Sequence, residues 1–240
     1  MASDMRTNLS IALIGCVSTG KSTLLNSILI SKLSDTKIRR TTMLPQVYLE
    51  SSKSTNLEDI LHKNRELNNQ ILNGNIKLTA ENCNNVYHII AKLYDIINLP
   101  ERIYLNIYDI PGLNDSATEE IYYNYINKTF YKFDIIFIVV DIEESFNTSS
   151  SIKILDNIVE NANKFKLKEN NICIIANKCD DLKKVNGSLE FIDEEYSEMF
   201  EQIETEVSKR FEPLQNIKYK IIKMSTEDSF IYRMYKKDPN

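Results

Sequence analysis

The chain has 240 residues, 42% of them hydrophobic and 26% charged, with a formal net charge of −5. That length supports one domain with a sizeable core, and the charge leaves no general basic field to attract nucleic acid or anionic membrane. Two histidines (His62, His88) and four cysteines (Cys16, Cys83, Cys173, Cys179) without metal-ligand spacing argue against histidine acid–base chemistry and a disulfide framework, and fit a reducing cytosol.

The N-terminal MASDMRTNLS has no apolar signal core and carries Ala2 where myristoylation needs glycine. No apolar run approaches the ~20 residues that span a bilayer, so a cytoplasmic protein with no transmembrane segment is expected. Residues 9–15 (LSIALIG) read as a buried strand, and 21–33 (KSTLLNSILISKL) as an amphipathic helix. A strand is predicted at 46–50. Residues 57–97 read as two helical stretches split at Asn73-Gly74, forming a helical insertion over about 55–99. Then come a strand at 102–109, a helix near 118–131, a strand at 133–141 and a helix near 149–165 opened by Thr148 or Ser149. A strand at 171–177, a helix at 191–211 and a strand at 217–225 complete the order. Short apolar strands alternating with helices predict an α/β fold: one domain over 1–240, with a central, mostly parallel sheet covered on both faces. Ligands bind such folds at the carboxyl ends of the strands.

Only five glycines occur, and three of them (Gly15, Gly20, Gly112) fall in motifs at strand ends. Gly15 to Ser22 matches G-x-x-x-x-G-K-S, the phosphate-binding loop between a strand and a helix. Its glycines permit a tight turn whose amides converge on phosphate at a helix N-terminus. The expected phosphate-binding set is Gly15, Val17, Ser18, Thr19, Gly20, Lys21, Ser22 and Thr23, with Lys21 neutralising charge and Ser22 on Mg²⁺. Asp109-Ile110-Pro111-Gly112 matches D-x-x-G. There Asp109 would hold Mg²⁺ through water, and the Gly112 amide would meet the γ-phosphate. Asn177-Lys178-Cys179-Asp180 matches N-K-x-D. The Asp180 carboxylate can accept from two guanine N–H groups, a pattern adenine lacks. Asn177 would brace neighbouring loops and the Lys178 stem would lie along the base. This motif selects GTP over ATP and argues against an ATP-dependent kinase or transport ATPase.

Thr42, with Thr41 as the alternative, is the candidate switch threonine that ligates Mg²⁺. Arg39, three residues earlier, is either a solvent-exposed arginine or a charge stabiliser in cis. Ser225 and Thr226 close the last strand, where a backbone amide, that of Thr226, would reach guanine O6.

These motifs occur in GTPase order along the chain. Thr42 and Asp109 lie 67 residues apart, an interval much longer than in small Ras-like GTPases, and one that resembles the dynamin superfamily. Ser18-Thr19-Gly20-Lys21-Ser22 looks like the dynamin S-[AS]-G-K-S, and Asp109 to Gly112 resembles D-[LIV]-P-G. Thr41 to Pro45 also resembles Obg-type GTPases, whose interval to D-x-P-G is short. The dynamin resemblance implies a P-loop GTPase fold that converts GTP to GDP and phosphate with Mg²⁺; a nucleotide-dependent homodimer is a candidate partner state, and the charge argues against nucleic acid. Ser18, Thr42, Gly112 and Arg39 are the candidate catalytic residues. The chain departs from the family at Val17, where dynamins usually carry a water-positioning glutamine, and Leu113 stands where Ras-type enzymes carry theirs. The alternative is a GTP-binding switch with negligible turnover, acting through a protein partner.

Overall fold

The computed structural model describes residues 7–34, 42–50, 56–79, 85–89, 103–115, 117–165, 171–214 and 217–237. Strand β1 (Thr7–Ile14) is followed by α1 (Lys21–Leu29), β2 (Gln46–Glu50), α2 (Leu57–Leu72), β3 (Asn85–Ile89) and β4 (Ile103–Asp109). Next come α3 (Glu119–Thr129), β5 (Ile135–Asp141), α4 (Ser149–Phe165) and β6 (Ile172–Asn177). The hairpin β7 (Leu182–Val185) and β8 (Ser188–Phe191), then α5 (Glu194–Phe211), β9 (Tyr219–Lys223) and α6 (Thr226–Lys237), complete the chain.

Seven strands form one sheet in the order β3-β2-β4-β1-β5-β6-β9. Every pairing is parallel except β2 with β4, which confirms the mostly parallel α/β sheet read from the sequence. The central strands are apolar on both sides because helices cover both faces. Ala12, Ile14, Ile136, Ile138, Ile172 and Ile174 pack with residues of α3, α4 and α5 in one cluster. On the opposite face, Leu13, Ile107, Val139 and Ile175 pack with Leu24, Leu25 and Ile28 of α1.

The long interval before β4 departs from its expected second helix. Residues 85–89 are a strand paired in parallel with β2, while 90–102 lie outside the described residues. The signal was present in NVYHI, whose side chains alternate: Val86 exposed, Tyr87 buried, His88 exposed, Ile89 buried. A buried polar network ties this region to the sheet. The Tyr87 hydroxyl donates to Asn64 Oδ1, and Asn64 Nδ2 and the Tyr48 hydroxyl both donate to Gln46 Oε1.

Other boundaries differ locally. Helix α1 ends at Leu29, and Ile30 turns into the left-handed region at φ 48°. The buried Asn26 then holds the exit, its Oδ1 accepting from the amides of Leu33 and Ser34. The expected 191–211 helix starts at Glu194, capped by the Asp193 carboxylate on the Glu195 amide. The residues before it form the β7–β8 hairpin, turned at Asn186 (φ 50°) and Gly187 (φ 91°). Positive φ at both central positions is the type I′ requirement that Asn-Gly meets. Helix α6 was not anticipated from the sequence.

Candidate functional site

The motifs converge at the carboxyl edge of β1, β4, β5 and β6. From Ile14 the chain enters the loop, where Ser18 adopts φ 64° and Gly20 φ 94°. Gly20 is the N-cap of α1 and no side chain caps that end, so first-turn amides, including those of Ser22 and Thr23, face the loop's concavity. A Cβ on Gly20 would stand 2.1 Å from Asn177 Nδ2, so both its φ and its neighbour demand glycine. Lys21 is buried, and its ammonium folds back onto the carbonyls of Gly15 and Cys16. Thr19 Oγ1 also donates to the Cys16 carbonyl. These contacts hold the loop in shape around its lysine.

Asn177 links three segments that are far apart in sequence. Its Nδ2 donates to the Thr19 carbonyl at 2.7 Å, and its Oδ1 accepts from the Thr226 amide at 2.9 Å. The expected bracing role is therefore visible as two hydrogen bonds. The same contact corrects the expectation for Thr226, because its amide is directed to Asn177. Ser225 caps α6, its hydroxyl accepting from the Asp228 amide. The first-turn amide between them belongs to Glu227, which no sequence signal singled out.

Lys178 sits at φ 63°, and its ammonium pairs with Asp141 at the end of β5. Asp180 is exposed at the rim. Asp141 was missed from the sequence, although its place at the end of the strand registered against Asn177 is where such folds keep functional side chains.

Asp109 ends β4 and is 1% exposed. Its Oδ1 has no hydrogen-bond partner among the described residues, and its Oδ2 lies 3.5 Å from Thr42 Oγ1. Burial raises its pKa from 3.8 to about 6, against the lowering effects of Lys21 and of the Thr42 hydrogen bond. Of the two threonine candidates, Thr42 is thus brought to Asp109. Thr41 and Arg39 lie outside the described residues. Gly112 packs directly on the loop, where a Cβ would stand 2.4 Å from Val17 Cγ2. Leu113 is fully buried in the core, its amide donating to the Gly15 carbonyl at 3.3 Å. Asn114, also missed from the sequence, accepts the Val17 amide on its Oδ1 at 2.9 Å.

A profile described as the dynamin family matches residues 11–179, spanning the loop, the D-x-P-G segment and most of N-K-x-D. The chain belongs to the dynamin family. The chain is also 30% identical over 184 residues to "Uncharacterized protein R618" of Acanthamoeba polyphaga mimivirus, covering 73% of this chain and 29% of that protein. The chain thus spans less than a third of that relative's length. Among solved structures, it resembles a protein of an oligomerised bacterial dynamin pair described as sensing and tethering membranes (TM-score 0.58, 15% identity), over 96% of this chain and 35% of that one. It also resembles Aquifex aeolicus Era bound to GDP·AlF4⁻ (TM-score 0.52, 16% identity; 96% and 56%) and Arabidopsis thaliana Toc33 (TM-score 0.51, 10% identity; 90% and 71%). These likenesses support the fold, the P-loop GTPase arrangement within α/β proteins. No helix among the described residues is long and apolar enough to cross a membrane.

Proposed function

We propose that this chain binds GTP with Mg²⁺ and hydrolyses it to GDP and phosphate. The observation that carries the reading is the Asn177 clamp, which joins the phosphate loop at Thr19 to the last loop at Thr226. It makes one site of the phosphate-binding and base-reading segments.

In this reading the amides from Val17 to Thr23 and the Lys21 ammonium hold the β- and γ-phosphates, an anion matched to an uncapped helix N-terminus. Asp180 accepts from guanine, Lys178 lies along the base steadied by Asp141, and the Glu227 amide is the donor available to O6. The buried, unpartnered Asp109 Oδ1 fits a hydrated hard cation, which favours oxygen donors. No cluster of three or more His, Cys, Asp or Glu suited to a metal occurs among the described residues. The residues that would hold Mg²⁺ are the Ser22 and Thr42 hydroxyls and Asp109 through water, together with the nucleotide's own phosphate oxygens. Bound there, Mg²⁺ neutralises charge developing on the phosphates. Ser18 and the Gly112 amide border the γ-phosphate, and Arg39 remains a candidate for charge stabilisation in cis. A second copy docking across the nucleotide face is the expected partner state.

The test is titration with fluorescent GTP and GDP, with ATP as competitor, followed by phosphate release at several protein concentrations. Lys21→Ala should abolish tight GTP binding, since the loop amides alone set only partial charges against the β- and γ-phosphates. Near-unchanged GTP affinity in a folded Lys21→Ala protein, or equal competition by ATP, would overturn the reading. Binding without phosphate release at any concentration would support the alternative, a non-hydrolysing switch.

A further inference from the structure

We propose that Asn114 positions the water that attacks the γ-phosphate, with its carboxamide held on the phosphate loop through the Val17 amide. This rests on the GTPase reading above. In hydrolysis the water oxygen bonds to the γ-phosphorus as the bond from that phosphorus to the β–γ bridging oxygen breaks. GDP leaves, and the proton released by the water ends on a phosphate oxygen. The water must be held in line, which requires a polar group fixed at the γ-phosphate end of the site.

Besides Ser18, which borders the γ-phosphate, and Thr42, assigned to Mg²⁺, the side chains at that end are unsuited to the task. Val17 is apolar, Gly112 has no side chain, and Leu113 is fully buried in the core. Asn114 is the next residue. It is exposed, yet its carboxamide is fixed, because Oδ1 accepts the Val17 N–H at 2.9 Å. Both flanks are anchored. The Leu113 amide donates to the Gly15 carbonyl, and the Asp115 carbonyl accepts from the amides of Thr118 and Glu119 as α3 begins. Asp115 Oδ1 also accepts from Ala117. The carboxamide is thus tied at residues 113, 114 and 115 beside the loop that would hold the phosphates.

An amide oxygen has two acceptor positions and the NH₂ two donors. The Val17 bond uses one acceptor position, and Nδ2 meets no acceptor among the described residues. Two N–H donors therefore remain at a fixed point, and these hold the water by donating to its oxygen and to a neighbouring phosphate oxygen. A purely structural tie between the two loops would need only the oxygen.

That difference sets the test. Asn114→Asp keeps an acceptor for the Val17 amide but has no donors, whereas Asn114→Ala removes both. Turnover at saturating GTP and GDP affinity are measured for both variants and the wild type. The expected result is a loss of kcat of about 100-fold or more in both variants, the scale for removing one preorganised donor, with GDP affinity within about threefold of wild type. Wild-type kcat in either variant overturns the assignment, and so does GDP affinity falling in step with kcat. Recovery of kcat in Asn114→Asp alone would make the residue a structural tie. The broader reading fails separately: a wild-type protein that binds no GTP, or binds it and releases no phosphate, overturns both.

Discussion

Replacing Asn177 with alanine should loosen the site more than any other single deletion of a polar side chain in it. Asn177 is 2% exposed, and its two partners, Thr19 and Thr226, are 1% and 3% exposed. Truncation removes both hydrogen bonds and leaves the buried Thr226 N–H and Thr19 carbonyl without these partners. A buried polar group without a partner costs about 1–3 kcal/mol, and water entering from the open loop side recovers part of that. A loss of about 3 kcal/mol is expected. With a urea slope near 3 kcal/mol/M, the upper end for domains, the midpoint should fall by about 1 M. Asn177→Asp separates geometry from polarity. Its carboxylate still accepts from Thr226 but turns an acceptor toward the Thr19 carbonyl, so at neutral pH it should be no more stable than the alanine variant. GTP affinity should weaken in both, because the phosphate loop and the last loop are no longer joined. A midpoint within about 0.3 M of wild type, together with unchanged GTP affinity, would refute the claim that this clamp builds the site.

Asp180→Asn should trade guanosine for xanthosine nucleotides, since an amide donates where xanthine's 2-oxo group accepts; GTP binding should fall by roughly 2–4 kcal/mol. A variant that keeps GTP and ignores XTP in competition binding would assign base reading elsewhere. Asp109→Asn should do opposite things to stability and function. The folded-state pKa of Asp109 is raised from 3.8 to about 6, so its contribution to stability is full below pH 4 and lost as pH rises through 6. Removing the charge should therefore stabilise the nucleotide-free protein at pH 7.5, by an amount on the order of 2 kcal/mol, and flatten its stability between pH 4 and 6. It should also weaken Mg²⁺-dependent GTP binding. Urea midpoints across that pH range, with wild type unchanged between pH 4 and 7, would contradict the sign.

What was legible in the sequence is the chemistry that needs fixed residue types at short spacing. In the proposed site, Gly20 and Lys21 are adjacent because one turn would both admit phosphate and neutralise it, and Asn177 to Asp180 are a single loop because one base edge would be read from one place. The apolar runs of β1, β5 and β6 likewise announced strands buried on both faces, and so the parallel sheet. Even the misread strand at 85–89 carried its alternation, which the helical stretch before it obscured.

What only the tertiary structure decided are pairings set by strand order and register. Asn114 reaches Val17 across 97 residues and Lys178 reaches Asp141 across 37, because β4 and β5 both flank β1 and β6 lies beside β5. The Thr226 amide turned out to serve Asn177, because β9 lies beside β6 and its loop closes over the strand end. Periodicity along a chain reports which face a residue takes. It carries no record of which distant strand becomes its neighbour, and hydrogen bonds between loops follow from that neighbour alone.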